Sequence, residues 1–137
     1  MLHQTDSNEI IKCDVFVIGG GPSGSTISTK LAQIGRDVVI VEKAQHPRFH
    51  IGESLLPMNV PIFEELGVLD QVEEIGIRKY GAEFNDVGRY AGSATYDFGN
   101  ALDPSYPYAF EVKREELDNI LFRNAEKKGA TAYENTR

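Results

Sequence analysis

Three glycines, Gly19, Gly21 and Gly24, stand at G-x-G-x-x-G spacing in the segment Gly19-Gly20-Gly21-Pro22-Ser23-Gly24. An apolar run, Cys13-Asp14-Val15-Phe16-Val17-Ile18, leads into them, and a second, Val38-Val39-Ile40-Val41, ends on Glu42. Strand, glycine turn, helix, strand and acid in that order form a dinucleotide-binding fingerprint in which each part has a physical task. Gly19 permits the tight turn. Gly21 has no Cβ, so a pyrophosphate can approach the backbone. Gly24 lets the helix pack close to the strand. Pro22 and Ser23 open that helix, whose N-terminus offers free N–H groups and a partial positive charge to phosphates. Glu42 is placed to accept hydrogen bonds from an adenosine ribose. The glycines followed by Ser25-Thr26 also fit a phosphate loop, but Ser25 stands where that loop needs its lysine, which excludes a nucleoside triphosphatase.

The pattern predicts elements that hold these residues. A first strand over 13–18 is apolar on both faces, as a central parallel strand is. A helix over 22–34 starts at Pro22 and ends at Gly35, with Ile27, Leu31 and Ile34 as its buried stripe. A second strand covers 37–42. The connection 43–57 is polar and marked by glycine and proline, the kind of long loop that is usually functional. Short helices over 60–66 and 69–75 precede β segments at 81–87, 94–98 and 107–112. A last helix, 114–128, carries Leu117, Ile120, Leu121 and Ala125 on one face, with acids in its first turn and lysines in its last. A third parallel strand begins at Ala130.

At 137 residues the chain fits one domain with its own core. A net charge of −7 argues against a nucleic-acid backbone or an anionic membrane as partner. A single cysteine, Cys13, excludes an internal disulfide and reads as a small buried residue at the start of the first strand. Residues 1–12 read as a flexible leader without the apolar core of a signal peptide, and no apolar run is long enough to span a membrane. A cytoplasmic location is the expectation. The fold class is α/β, a Rossmann-type domain with a parallel sheet. Such sheets have five or six strands and only three strong candidates are visible. The chain therefore reads either as the N-terminal portion of its domain, 13–137 with a β-rich insertion at about 81–112, or as a small complete three-layer unit.

The connection after Glu42 reads Pro47-Arg48-Phe49-His50-Ile51-Gly52-Glu53-Ser54-Leu55-Leu56-Pro57. Together with the glycine turn it resembles the flavin-dependent halogenases of phenol- and pyrrole-type rings, and their geranylgeranyl-reductase-like and aromatic-hydroxylase relatives. The resemblance covers the chain from about residue 13 onward and implies FAD as cofactor. It implies that Glu42, with its neighbour Lys43, lies at the adenosine ribose. Arg48 is implied beside the FAD, Gly52, Glu53 and Ser54 near the isoalloxazine, and Arg114 near the diphosphate and ribose. FAD carries two phosphates, so an acidic chain needs local cations to hold it. Arg114 opens a helix, where a cation opposes the dipole, so it calls for some other partner.

Lys79, in Ile77-Arg78-Lys79-Tyr80-Gly81-Ala82, resembles the catalytic lysine of the halogenases. In that family reduced FAD, oxygen and halide yield hypohalous acid, which the lysine binds as a haloamine or by a hydrogen bond beside the substrate. An ammonium on a flexible stem suits either role. The competing reading is a surface lysine in a charged turn. The tryptophan-rich element of halogenases and their later Gly-Asp motif are absent from this sequence, which has no tryptophan. The implied activity is FAD-dependent halogenation of an aromatic substrate. A reductase acting on an isoprenoid and an aromatic monooxygenase are the alternatives, and the 137-residue chain taken alone reads as an inactive cofactor-binding fragment. A flavin reductase and a carrier protein are the expected partners. His46 and His50 lack metal-ligand spacing, so no metal is expected. Glu64-Glu65 and Glu73-Glu74 read as solvated helix faces. Tyr80, Tyr90, Tyr96, Tyr106 and Tyr108 read either as substrate-lining or as surface strand residues.

Overall fold

The computed structural model describes residues 10–86, 88 and 92–137. Residues 1–9 of the expected leader, the end of the 81–87 segment and Tyr90 lie outside the described residues. The elements are β1 (Val15–Ile18), α1 (Pro22–Gln33), β2 (Val38–Val41), α2 (Asn59–Leu66), α3 (Leu69–Ile75), β3 (Ile77–Lys79), β4 (Gly81–Asp86), β5 (Gly92–Asp97), β6 (Ala109–Glu111), α4 (Arg114–Lys127) and β7 (Thr131–Tyr133).

A parallel sheet of order β1-β2-β7 forms the frame. Val15 pairs with Val38 and Ile18 with Val41, and Val39 with Thr131 on the other side of β2. Every residue of β2 is buried, which explains its unbroken Val-Val-Ile-Val run. Of the three strands this chain contributes, β2 lies in the middle. Phe16 and Ile18 of β1 are exposed, and Cys13 is only partly buried.

Helix α4 joins two cores. Leu117 and Leu121 enter a cluster with Val60, Phe63, Leu66, Val72 and Phe110, while Phe122 and Ala125 pack on Val38, Ile40 and Ala130 of the sheet. Of the predicted apolar face of α4, Leu117, Leu121 and Ala125 are buried and Ile120 partly so, while Phe122, outside that face, is buried as well. Each such large side chain contributes about 1.5–3 kcal/mol on leaving water.

Helix α1 departs from expectation. Its buried residues are Ser25, Ser28 and Thr29, whereas Ile27 and Ile34 are exposed and Leu31 is partly buried. The helix lies tightly against α4 and the sheet, where small side chains admit the approach that isoleucine blocks. Two hydroxyls bond locally, Ser25 Oγ to the Gly20 carbonyl (3.1 Å) and Thr29 Oγ1 to the Ser25 carbonyl (2.9 Å).

The β segments form two antiparallel pairs, β3 with β6 and β4 with β5. Strand β3 is too short to show a period in the sequence, and it converts the charged turn around Lys79 into a paired strand, with Lys79 opposite Ala109.

Candidate functional site

The glycine turn carries the site because three of its glycines meet different constraints. Gly19 has φ +105°, which favours glycine. A Cβ on Gly24 would lie 1.9 Å from the Gly19 carbonyl oxygen, so close packing of helix and strand depends on its absence. A Cβ on Gly21 would meet nothing nearer than Arg48 Nη2, at 3.8 Å. Space for a ligand is therefore left in front of Gly21, at the N-cap of α1. That N-cap carries no side-chain hydrogen bond and the first turn no acid, so its amides remain available to an anion. Gly20 is a constraint the spacing motif does not reveal: a Cβ there would stand 2.6 Å from the Phe122 ring.

Glu42 is buried at the end of β2. Its Oε2 accepts the Gly20 N–H (2.7 Å) and its Oε1 the Ala44 N–H (3.0 Å), and Arg48 Nε lies 3.6 Å from Oε1. Burial alone would raise its pKa. The two backbone N–H groups and the Arg48 charge outweigh that and hold it below its ordinary value of 4.5. Glu42 thus ties the glycine turn to β2. Two of roughly four lone-pair sites are used, leaving acceptor capacity. Lys43 beside it is exposed.

Asp118 of α4, which the sequence reading passed over, is fully buried and gathers two of the expected cofactor residues. Arg114 reaches it with Nε to Oδ1 (2.8 Å) and Nη2 to Oδ2 (3.2 Å), and Arg48 Nη1 approaches Oδ2 at 3.4 Å. This is the partner that a cation at a helix N-terminus required. Arg114 Nη1 also donates to the Ile51 carbonyl (3.0 Å) and the Gly52 carbonyl (3.4 Å). Arg114, Pro22, Ser23, Leu55 and Phe63 line a cleft of about 340 Å³ beside the start of α1.

The segment Gly52-Glu53-Ser54 runs exposed along β6. Leu55 N–H donates to the Phe110 carbonyl (2.9 Å) and Val112 N–H to the Glu53 carbonyl (3.0 Å). The neighbouring strand β3 then brings Lys79 to the same place: Lys79 Nζ donates to Ser54 Oγ and lies 3.9 Å from Glu111 Oε2.

The connection is anchored at its other end by His46, which is buried and stacks on Phe122 with 4.6 Å between centroids. Glu134 Oε1 accepts the His46 backbone N–H (2.6 Å) and lies 3.1 Å from Nδ1, while Arg123 Nη2 donates to Oε2 (2.7 Å). Burial would raise the pKa of Glu134, but Arg123 and His46 hold it below the ordinary value. Among the tyrosines, Tyr106 donates to Glu64 Oε2 (2.8 Å) and Tyr108 lies under the Arg78 guanidinium at 4.6 Å, and both are partly buried against the α2–α4 core.

An open glycine turn at a helix N-terminus, an acid ending β2 and basic residues converging on them define a dinucleotide-binding α/β domain. The chain belongs to the FAD binding domain family, whose model matches residues 12–137. Flavin-dependent halogenases are among the proteins it is similar to. It is similar to a tryptophan 2-halogenase of Chondromyces crocatus, 45% identical over 122 residues covering 88% of this chain and 22% of the relative. It is similar to the structure of the myxobacterial chondrochloren halogenase CndH, at TM-score 0.81 and 38% identity, covering 90% of this chain and 28% of that one. A flavoprotein/dehydrogenase from Cytophaga hutchinsonii gives TM-score 0.81 and 34% identity, covering 91% of this chain and 30% of that one. The chain thus spans about a quarter of the length of such relatives. The cofactor is FAD, and the site fits it. The space before Gly21, the uncapped α1 N-terminus and the unbonded Nη2 of Arg48 beside it are what a diphosphate requires. Among the described residues no helix is long and apolar enough to cross a membrane.

Proposed function

We propose that the protein is a flavin-dependent halogenase acting on an aromatic small molecule, with Lys79 as its halogen-transfer residue. The observation that carries this reading is the contact of Lys79 with Ser54, which sets the ammonium against the Gly52–Ser54 segment. Reduced FAD, when bound, supplies the oxygen activation that oxidises halide. Gly21 and the first-turn amides of α1 receive the diphosphate, and Arg48 adds a cation beside them. Glu42 holds the turn in shape and has lone pairs left for a ribose hydroxyl. Ser54 accepts one Lys79 N–H and Glu111 Oε2 lies 3.9 Å from the ammonium, which leaves donor capacity on Lys79 for the oxidised halogen. A flavin reductase supplies the reduced cofactor, the substrate is free or tethered to a carrier protein, and the protein works in the cytoplasm.

The test is Lys79→Ala in the full-length protein, given reduced FAD, oxygen, chloride or bromide, and phenol- and pyrrole-type substrates. The expected outcome is loss of halogenated product with flavin reoxidation retained. Halogenation that survives the substitution removes Lys79 from the mechanism. The likeness to a flavoprotein/dehydrogenase favours a second reading, a reductase or hydroxylase. Wild-type protein that oxidises flavin or modifies substrate, yet never incorporates halide, establishes that reading instead.

A further inference from the structure

The two arginines expected at the cofactor are not equivalent. Four of the five N–H groups of the Arg114 guanidinium are already engaged, two by Asp118 and two by the carbonyls of Ile51 and Gly52. Arg48 makes one long hydrogen bond, to Asp118 at 3.4 Å, and its Nε, though buried, has no hydrogen-bond partner. Its Nη2 is the atom nearest the open position at Gly21. Charge makes the same distinction. Glu42 and Asp118 together cancel Arg48 and Arg114, so the cradle offers a diphosphate no net charge. What it offers is the direction of unused N–H groups: the first-turn amides of α1 and, of the two arginines, mostly Arg48, whose Nε faces Glu42 Oε1 at 3.6 Å and whose Nη2 faces Gly21.

We infer that Asp118 is a positioning residue that commits Arg114 to the flavin-facing loop and leaves Arg48 as the diphosphate ligand. Asp118 fixes the guanidinium plane of Arg114 by a bidentate bond. That plane then staples the Ile51–Gly52 carbonyls to the first turn of α4. Gly52 is held there at φ +109°, and a Cβ on it would stand 2.9 Å from Arg114 Nη1, so the loop and the guanidinium are fitted to each other. The proposal rests on the FAD reading above, and it divides the two halves of the cofactor. Arg48 serves the diphosphate, whereas Asp118 and Arg114 act on the flavin end through the loop.

ADP and FAD, titrated separately against the full-length protein, distinguish these roles. Arg48→Gln is expected to weaken both by about tenfold or more, the loss of a charge-assisted hydrogen bond. Arg114→Lys is expected to weaken FAD by about tenfold while leaving ADP within about twofold, whereas Asp118→Asn, which also removes the one hydrogen-bond acceptor of Arg48, is expected to weaken FAD by about tenfold or more. A role in general folding would lower both ligands together. Without ligand, both variants are expected to exchange the amides of residues 49–54 about tenfold faster than wild type, with β2 unchanged. ADP affinity that falls in Arg114→Lys as far as in Arg48→Gln overturns the proposal, because Arg114 is then itself a phosphate ligand. Unchanged loop exchange in both variants overturns it too. Wild-type protein that binds neither FAD nor ADP defeats the FAD reading itself, while the exchange measurement still reports whether Asp118 holds the loop.

Discussion

Two substitutions in the glycine turn should fail in opposite ways. Gly24→Ala places a methyl 1.9 Å from the Gly19 carbonyl oxygen and 3.3 Å from Val17 Cγ1. The nearer atom is backbone, so no rotamer change relieves the clash and α1 must move off β1. Overpacking of this kind costs about 1–3 kcal/mol, set against a gain of about 1 kcal/mol from replacing glycine in a helix. Because the clash is well inside contact distance, the upper part of that range applies and a net loss of about 2 kcal/mol is expected. For a domain of this size that lowers Tm by about 8 °C. Gly21→Ser has open space around its Cβ, and serine is a better N-cap than glycine by a few tenths of a kcal/mol. Stability should hold or rise slightly. The new hydroxyl, however, caps the amides that a diphosphate needs. Losing one charge-assisted hydrogen bond, at about 1.5–3 kcal/mol, weakens FAD by about 10- to 100-fold. Thermal unfolding without ligand and titration of FAD by fluorescence quenching measure the two effects. A Gly24→Ala protein that melts with wild type refutes the steric argument. A Gly21→Ser protein with full FAD affinity refutes the placement of the diphosphate.

Other outcomes follow from the same geometry. Gly20→Ala drives a methyl into the Phe122 ring and should cost about 1–3 kcal/mol by chemical denaturation. Combined with Phe122→Leu, the two losses should sum to less than their separate values, and strict additivity would show that the ring is not what the methyl meets. Glu42 and Glu134 are both held below the ordinary carboxylate value in the folded protein. Their contribution is therefore fully present above pH 4.5 and is lost as pH falls through the lowered folded values. Glu42→Gln should be less stable than wild type at neutral pH, and the gap should close as the medium is acidified. A pH-independent gap would mean that the Glu42 charge contributes nothing.

Features set by neighbours along the chain were legible in the sequence. The glycine spacing, the unbroken apolar run of β2, the amphipathic face of α4 and the helix-ending glycines each encode a local conformational requirement, and each element formed near its expected bounds. The burial of α1 was not legible. Periodicity selects Ile27 and Ile34, but the face that packs is chosen by how near α4 and the sheet approach, and it is the serine and threonine face. Nor did the sequence show Asp118 or His46 as part of the site. Asp118 meets Arg48 across 70 positions of chain and Glu134 meets His46 across 88. A buried aspartate and a solvated one are the same letter. Only the folded chain determines which carboxylate is deprived of water and must gather cations around it. The sequence by itself determined that a phosphate-bearing cofactor has a turn to sit on. The tertiary structure decided that Arg114 is engaged by Asp118 and two loop carbonyls while Arg48 Nη2 stands beside Gly21.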